Sequence, residues 1–368
     1  MTKLREGYEI DRAAVRRYVR RLFGEDDAEL LELRELAAST QESLKDYGYG
    51  KPLLARVARA GGSETNVVIR TMSPDPFGHD RRADRVGALV LDYDTFGQMP
   101  RHIQPLDIGL FDDDGEMRSI ASGEPFLVTT YVEGELYAHD LKALQGADRA
   151  DARDVERAEA LADYLAALHA TTEDGTRGLR AMRDTVGSGE GIFGLCDSYP
   201  RGHAIASAER LEGIERACVS WRWKLRDRVE RRARRTHGDF HPFNILFRDG
   251  SDFTVLDCSR GGAGEPADDV TCLSINYLFF ALAGGAERFE GALRTLWDTF
   301  FARYLARSGD AEVLEMVAPF FAWRGLVVAS PVWYPNVSDT VRERLLCFIE
   351  RLLAGEAFDP ARVDELLR

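Results

Sequence analysis

Apolar positions divide the chain into a front that alternates and a back that repeats every three to four residues. After an opening helix, "AELLELREL" (28–36), "LLARVARA" (53–60) and "TNVVIRTM" (65–72) carry the alternation and β-branching of strands. The "GGSE" between the last two is a good hairpin turn, and the polar, glycine-bearing "AASTQESLKDYGYGKP" reads as a loop. A helix is predicted over about 79–93, and "FLVTTYVEGE" (126–135) reads as a strand running out through Gly134. From residue 150 or so the period becomes helical. In "RDVERAEALADYLAALHA" the residues Val155, Ala158, Leu161, Leu165 and Leu168 form one stripe that must face a core, with His169 at its end as a packed or capping histidine. "CLSINYLFFALAGG" and "VAPFFAWRGLVVAS" read as core helices. The pattern therefore predicts an α+β chain with a β-rich front, 1–132, and a mainly helical back, 133–368.

Composition sharpens this picture only in places. At 368 residues and 45% hydrophobic content the chain can bury a substantial core. The N-terminus is charged from its third residue, and no apolar run approaches the ~18–20 residues that cross a bilayer, which predicts a soluble, cytoplasmic protein without a membrane partner. Five cysteines lack metal-binding spacing and read as reduced, buried thiols. A net charge of −14 argues against nucleic acid as a partner and suits a cationic ligand. The local exception, "WRWKLRDRVERRARR" (221–235), holds eight basic residues against two acidic ones and is read as a solvated helix face, because no nucleic-acid motif accompanies it.

The densest chemistry lies in "THGDFHPFN" (236–244), which gathers His237, Asp239, His241 and Asn244. Two short apolar strands follow, flanking "DGSD". Pairing Arg248 with Phe253 across a four-residue turn puts Asn244 opposite Asp257, and directly opposed side chains have Cβ atoms ~4.5–5.5 Å apart on one face. An amide oxygen and a carboxylate so placed suit Mg²⁺, which takes one or two protein oxygens together with water and substrate phosphates. Asp239, on the preceding loop, is left to accept a proton. An aspartate base with an asparagine and an aspartate for Mg²⁺ is the set of parts that phosphoryl transfer needs, since positioning and charge neutralisation carry most of that catalysis.

"HGDFHPFNILF", "VLDCS" and "GEPADDV" resemble the catalytic region of the aminoglycoside phosphotransferase family, small-molecule kinases of the protein-kinase-like fold, with "YVEGE" similar to its interlobe hinge and "LADYLAALHA" to the helix that follows. The resemblance implies a bilobal fold with ATP or GTP as donor. It implies Asp239 as catalytic base, Asn244 and Asp257 as Mg²⁺ ligands, and main-chain groups near Thr130 to Val132 as the adenine edge. It puts Arg70 where the family's strand lysine meets the phosphates, with Asp84 or Asp80 as its acidic partner, and Ser39 and Thr40 in the loop over the phosphates, which lacks G-x-G-x-x-G. His237 and His241 become structural, and Asp269 a brace of the catalytic loop. Phe243, in place of a glycine, and Cys258, in place of an aromatic, depart from the family pattern.

Only eleven residues separate Asp257 from Asp269, too few for the segment on which protein kinases dock peptides, so a small hydroxyl-bearing acceptor is expected: an aminoglycoside, an amino alcohol or a sugar. Glu265, Asp268 and Asp269 add negative charge that would suit a cationic one. Trp333 and Tyr334 are candidates to wall its pocket, and Trp323 is read as core. Two other classes stay open: a catalytically weak pseudokinase serving as a nucleotide-binding module, on the strength of Arg70 and the unconventional phosphate loop, and an RNA-binding regulator using 221–235.

Overall fold

The structure is a computed structural model that describes residues 10–36, 52–75, 78–258 and 262–367. The chain mixes helices with small sheets and divides into two compact units, Met1–Thr129 and Thr130–Arg368.

In the first unit, α1 (Arg12–Phe23) starts where the Asp11 carboxylate accepts from the free amides of Ala13 and Ala14, and ends on Gly24 in the left-handed region. The strands β1 (Glu29–Glu35), β2 (Leu53–Ala58) and β3 (Glu64–Ile69) form an antiparallel sheet in that order. Alternation does what it predicts: Leu53, Ala55 and Val57 of β2 point inward onto Val15 and Val19 of α1. The β2–β3 hairpin closes through Gly61 and Gly62, both at positive φ, with the Arg59 amide donating to the Ser63 carbonyl at 2.7 Å. The next helix, α2 (Arg82–Phe96), begins about three residues later than the sequence pattern suggests, and its start is set by Asp84 accepting from the Arg81 amide. A two-stranded ribbon, β4 (Gly109–Phe111) with β5 (Met117–Ser119), follows.

The strand expected over 126–135 is not formed. Phe126, Leu127 and Tyr131 are nearly nine-tenths exposed, and extended pairing begins only at β6 (Glu135–Leu136). β-propensity describes a fit to a half-buried pleated surface, and a ladder partner is present only from Glu135 onward, where β7 (Ile245–Phe247) lies alongside. Gly134 marks the change, because a Cβ there would lie 3.0 Å from both the Leu246 Cβ and the Phe247 carbonyl oxygen.

The second unit pairs β6, β7 and β8 (Phe253–Val255) in one small antiparallel sheet. The same unit holds α3 (Tyr137–Ala143), α4 (Ala152–His169), α5 (Gly175–Gly187), α6 (Ile192–Ser198), α7 (Ala208–Arg232), α8 (Ala267–Ala283), α9 (Gly291–Ser308), α10 (Ala318–Ala329) and α11 (Asp339–Leu353), of which α3 packs on the sheet. The stripe of α4 is buried as predicted at Ala158, Leu161 and Leu165, and this helix packs along α9. Helix α8 is buried all round and α10 almost so, as expected of helices without a polar face.

The basic stretch 221–235 is in part the solvated face expected, with Lys224, Arg226, Arg231 and Arg235 exposed. Arg232 is buried and bonds to Glu265 and Asp310 at 2.8 and 2.7 Å, while Arg228 and Arg231 share Glu312. Their carboxylate partners come from 265 and 310–315, far away in sequence. Of the cysteines, all free, Cys258 is exposed and Cys347 half-buried, so only Cys196, Cys218 and Cys272 match the reading of buried thiols. Among the described residues no helix is long and apolar enough to cross a membrane.

Candidate active site

The segment 237–244 is held from beneath by one carboxylate. Asp269, fully buried in the first turn of α8, accepts the His237 amide at 2.8 Å and the Gly238 amide at 2.7 Å, and its Oδ2 lies 3.1 Å from His169 Nε2. Gly238 can present its amide this way because its φ of 80° lies in the left-handed region. Burial alone would raise the Asp269 pKa, but the His169 contact and the two amides outweigh it and hold the group below the usual carboxylate range. His169 completes the chain with Nδ1 2.8 Å from the Tyr304 hydroxyl, and is a packed residue.

His237 and His241 each brace the loop. His237 accepts the Asp239 amide on Nδ1 at 3.3 Å, reaches the Leu256 backbone, and is kept neutral by burial, which lowers its pKa. His241 accepts the Phe243 amide on Nδ1, so its Nε2 carries the proton and faces Asp239 Oδ2 at 3.3 Å. Pro242 then opens a single 3-10 turn that ends at Asn244.

Asn244 is buried and donates its amide N–H to the Asp239 carbonyl and to Asp239 Oδ2, each at 3.1 Å, which leaves the Asn244 side-chain oxygen available to a cation. The hairpin register differs by one from the sequence reading. Phe247 faces Phe253 and Ile245 faces Val255, with Arg248 closing onto Asp252. Gly250 at φ 63° makes a three-residue loop sufficient where four were counted. Asn244 therefore faces Leu256, whose amide donates to the Asn244 carbonyl at 2.8 Å, and Asp257 follows one position later. Asp257 itself is exposed and adopts φ 47°, a left-handed conformation that aspartate tolerates better than most residues. Among the described residues no three His, Cys, Asp or Glu side chains gather as a metal cage. Two oxygen donors are what Mg²⁺ asks of a protein when phosphates and water complete its shell.

Sequence reasoning missed Arg324 of α10. Its Nη1 donates to Asp239 Oδ1 at 2.8 Å, and its Nη2 donates to the Gly238 carbonyl at 2.7 Å and to Asp268 Oδ1 at 3.0 Å. The available signal was an arginine inside the apolar run "APFFAWRGLVVA", since a charge on a buried helix must find partners. Burial tends to raise the Asp239 pKa, yet the His241 contact and the Arg324 charge hold this carboxyl well below its ordinary range. The acidic trio expected to attract a cationic acceptor is occupied internally: Glu265 by Arg232, Asp268 by Arg324 and Asp269 by His169. Trp323 is core, its Nε1 donating to the Glu190 carbonyl, while Trp333 is exposed and Tyr334 packs against Phe279.

Arg70 belongs to the first unit. It is half exposed and its acidic neighbour is Asp92, at 3.8 Å, in place of the expected Asp84 or Asp80. It borders a cavity of about 420 Å³ lined by Val67, Ile69, Tyr93, Phe96 and Leu106. Thr130 is exposed and Val132 half-buried, both outside any strand, and Ser39 and Thr40 lie outside the described residues.

The model of the phosphotransferase enzyme family known as APH matches residues 98–316. Among solved structures, a macrolide 2′-phosphotransferase from Brachybacterium faecium is 12% identical over 94% of this chain and 98% of its own, with a TM-score of 0.28. An aminoglycoside phosphotransferase with ADP bound is 14% identical over 97% of both chains, also at 0.28. A glucosamine kinase in complex with glucosamine, ADP and inorganic phosphate is 15% identical over 91% of this chain and 92% of its own, at 0.26. No curated protein matches the sequence. The family model spans more than half of the chain and includes the loop built around Asp239: this chain belongs to the aminoglycoside phosphotransferase family of phosphotransferase enzymes.

Proposed function

We propose that the chain is a small-molecule kinase that moves the γ-phosphoryl group of ATP or GTP to a hydroxyl of a small acceptor. The observation that carries this reading is the fixed carboxylate of Asp239. Arg324 holds one of its oxygens and the Asn244 amide the other, on a loop whose backbone is pinned by Asp269. The acceptor oxygen attacks the γ-phosphorus, the bond to the β-bridging oxygen breaks, and the hydroxyl proton passes to Asp239. A carboxyl held this far down is a weak base, so its service is chiefly to orient the hydroxyl and take the proton late, as suits a loose phosphoryl-transfer transition state.

Asn244, through its side-chain oxygen, and Asp257 would hold Mg²⁺, which supplies charge neutralisation for the phosphates when bound. In the first unit, Arg70, which lines the cavity, would meet phosphate with its planar fork. The finer architecture proposed with this function is bilobal and kinase-like, divided near Glu133, with main-chain groups at Thr130 and Val132 meeting the base. Because Glu265, Asp268 and Asp269 are already paired, the reading favours a sugar or amino alcohol over a polycation.

Half exposure of Arg70 and its loose contact with Asp92 favour one second reading, a nucleotide-binding module without transfer. One experiment separates them. A hydroxyl-compound library is incubated with the protein, Mg²⁺ and either ATP or GTP, and products are read by mass spectrometry. A phosphorylated product lost in Asp239→Ala supports the kinase; nucleotide binding with no product from any acceptor supports the module.

A further inference from the structure

Arg324 is the one charged residue in the apolar helix α10. Helix α10 is apolar along its length and buried, and Arg324 is only 6% exposed. Its guanidinium lies 3.5 Å from the Trp323 ring centroid and spans two separate segments, the 238–239 loop and the first turn of α8. Its Nε finds no acceptor among the described residues, so the chain tolerates an unsatisfied buried donor to keep this group in place.

We propose that Arg324 is a positioning residue for Asp239, and that Asp268 is the counter-charge that holds Arg324 in register. The inference rests on the kinase reading above. Asp268 and the Gly238 carbonyl both take Nη2, which leaves Nη1 for Asp239 Oδ1. Asn244 and His241 already occupy Oδ2. With Oδ1 fixed on one side by a planar fork, its remaining lone pair has a defined direction, and that is where an acceptor hydroxyl must point its proton.

Arg324 does not itself meet the acceptor in this scheme. It is buried, and both terminal nitrogens are engaged with the protein. A lysine has one terminal nitrogen and cannot stand at the positions of both Nη1 and Nη2, so the role belongs to arginine specifically.

The test uses the full chain and the acceptor identified from the hydroxyl library. Arg324→Gln is expected to lower kcat by about a hundredfold with KM for nucleotide and for acceptor unchanged within about threefold, on the general scale of misplacing a reacting group by an ångström. Arg324→Lys should recover less than a tenth of the loss, and Asp268→Asn should lower kcat by a smaller factor than Arg324→Gln. Retained kcat in Arg324→Gln, or a loss confined to acceptor KM, overturns the inference. A second measurement needs no activity: urea midpoints of Arg324→Gln, Asp239→Asn and the double variant. Coupled side chains give a double variant less destabilised than the two single losses combined, and additive losses overturn the clamp. If the wild type phosphorylates nothing, the kinase reading fails while the urea cycle still decides whether the clamp exists.

Discussion

Replacing Asp269 by asparagine changes one atom and should cost more than most core substitutions. The carboxylate accepts two backbone amides, at 2.8 and 2.7 Å, and faces His169 at 3.1 Å, with no exposure to water. An asparagine has one acceptor oxygen, so its NH₂ must turn toward either an amide N–H or His169. One charge-assisted bond, worth about 1.5–3 kcal/mol net, is lost and a buried donor is left without an acceptor at about 1–3 kcal/mol more. The sum, roughly 2.5–6 kcal/mol, brackets the roughly 3–5 kcal/mol that removing one member of a buried pair generally costs. Against a typical total of about 5–15 kcal/mol this is a large fraction, and for a unit of this size it corresponds to a fall in Tm of roughly 10 °C. Urea denaturation followed by tryptophan fluorescence measures it, since Trp221, Trp223, Trp297, Trp323 and Trp333 all lie in the second unit. The predicted result is a midpoint shift in that unit's transition together with loss of transfer. A change below about 1 kcal/mol would mean that Asp269 does not hold the loop and would refute the reasoning.

Two further outcomes bear on the metal and on the arginine cluster. Asp257→Ala should weaken nucleotide binding at least tenfold in Mg²⁺ and leave binding in EDTA unchanged, as read by calorimetry; equal weakening in both would detach Asp257 from the cation. Glu312, hydrogen-bonded to Arg231, Arg228 and Arg232, has its pKa lowered to about 2, below its unfolded value near 4.5. Its contribution is therefore present at neutral pH and lost as the pH falls from about 4.5 toward 2, so Glu312→Gln should cost about 1 kcal/mol at pH 7 and progressively less toward pH 3 by urea midpoint.

What could be read from the sequence was what local chemistry decides. The β2–β3 hairpin was legible because Gly61 and Gly62 supply the two positive φ values that a tight turn demands, and α4 because its stripe is long and periodic. The grouping of Asp239 with Asn244 was legible because five residues and a proline-initiated turn suffice to bring them into contact. The hairpin register slipped by one because Gly250, by taking a left-handed conformation, shortens the loop, and a single-residue error there moves Asp257 out of the position opposite Asn244. The 126–134 segment has the composition of a strand, but pairing depends on a neighbour that composition does not reveal. Arg324 and the carboxylates around Arg232 reach their partners across 33 to 86 positions, and the sequence shows only an unexplained charge at each end.

Proton transfer from an acceptor hydroxyl to Asp239 is the step on which the proposed function depends. Its most direct measurement is single-turnover transfer from γ-labelled nucleotide to the identified acceptor, comparing wild type with Asp239→Ala at matched nucleotide occupancy. Loss of labelled product with nucleotide affinity retained is the predicted result. Transfer at the wild-type rate by the alanine variant would contradict it.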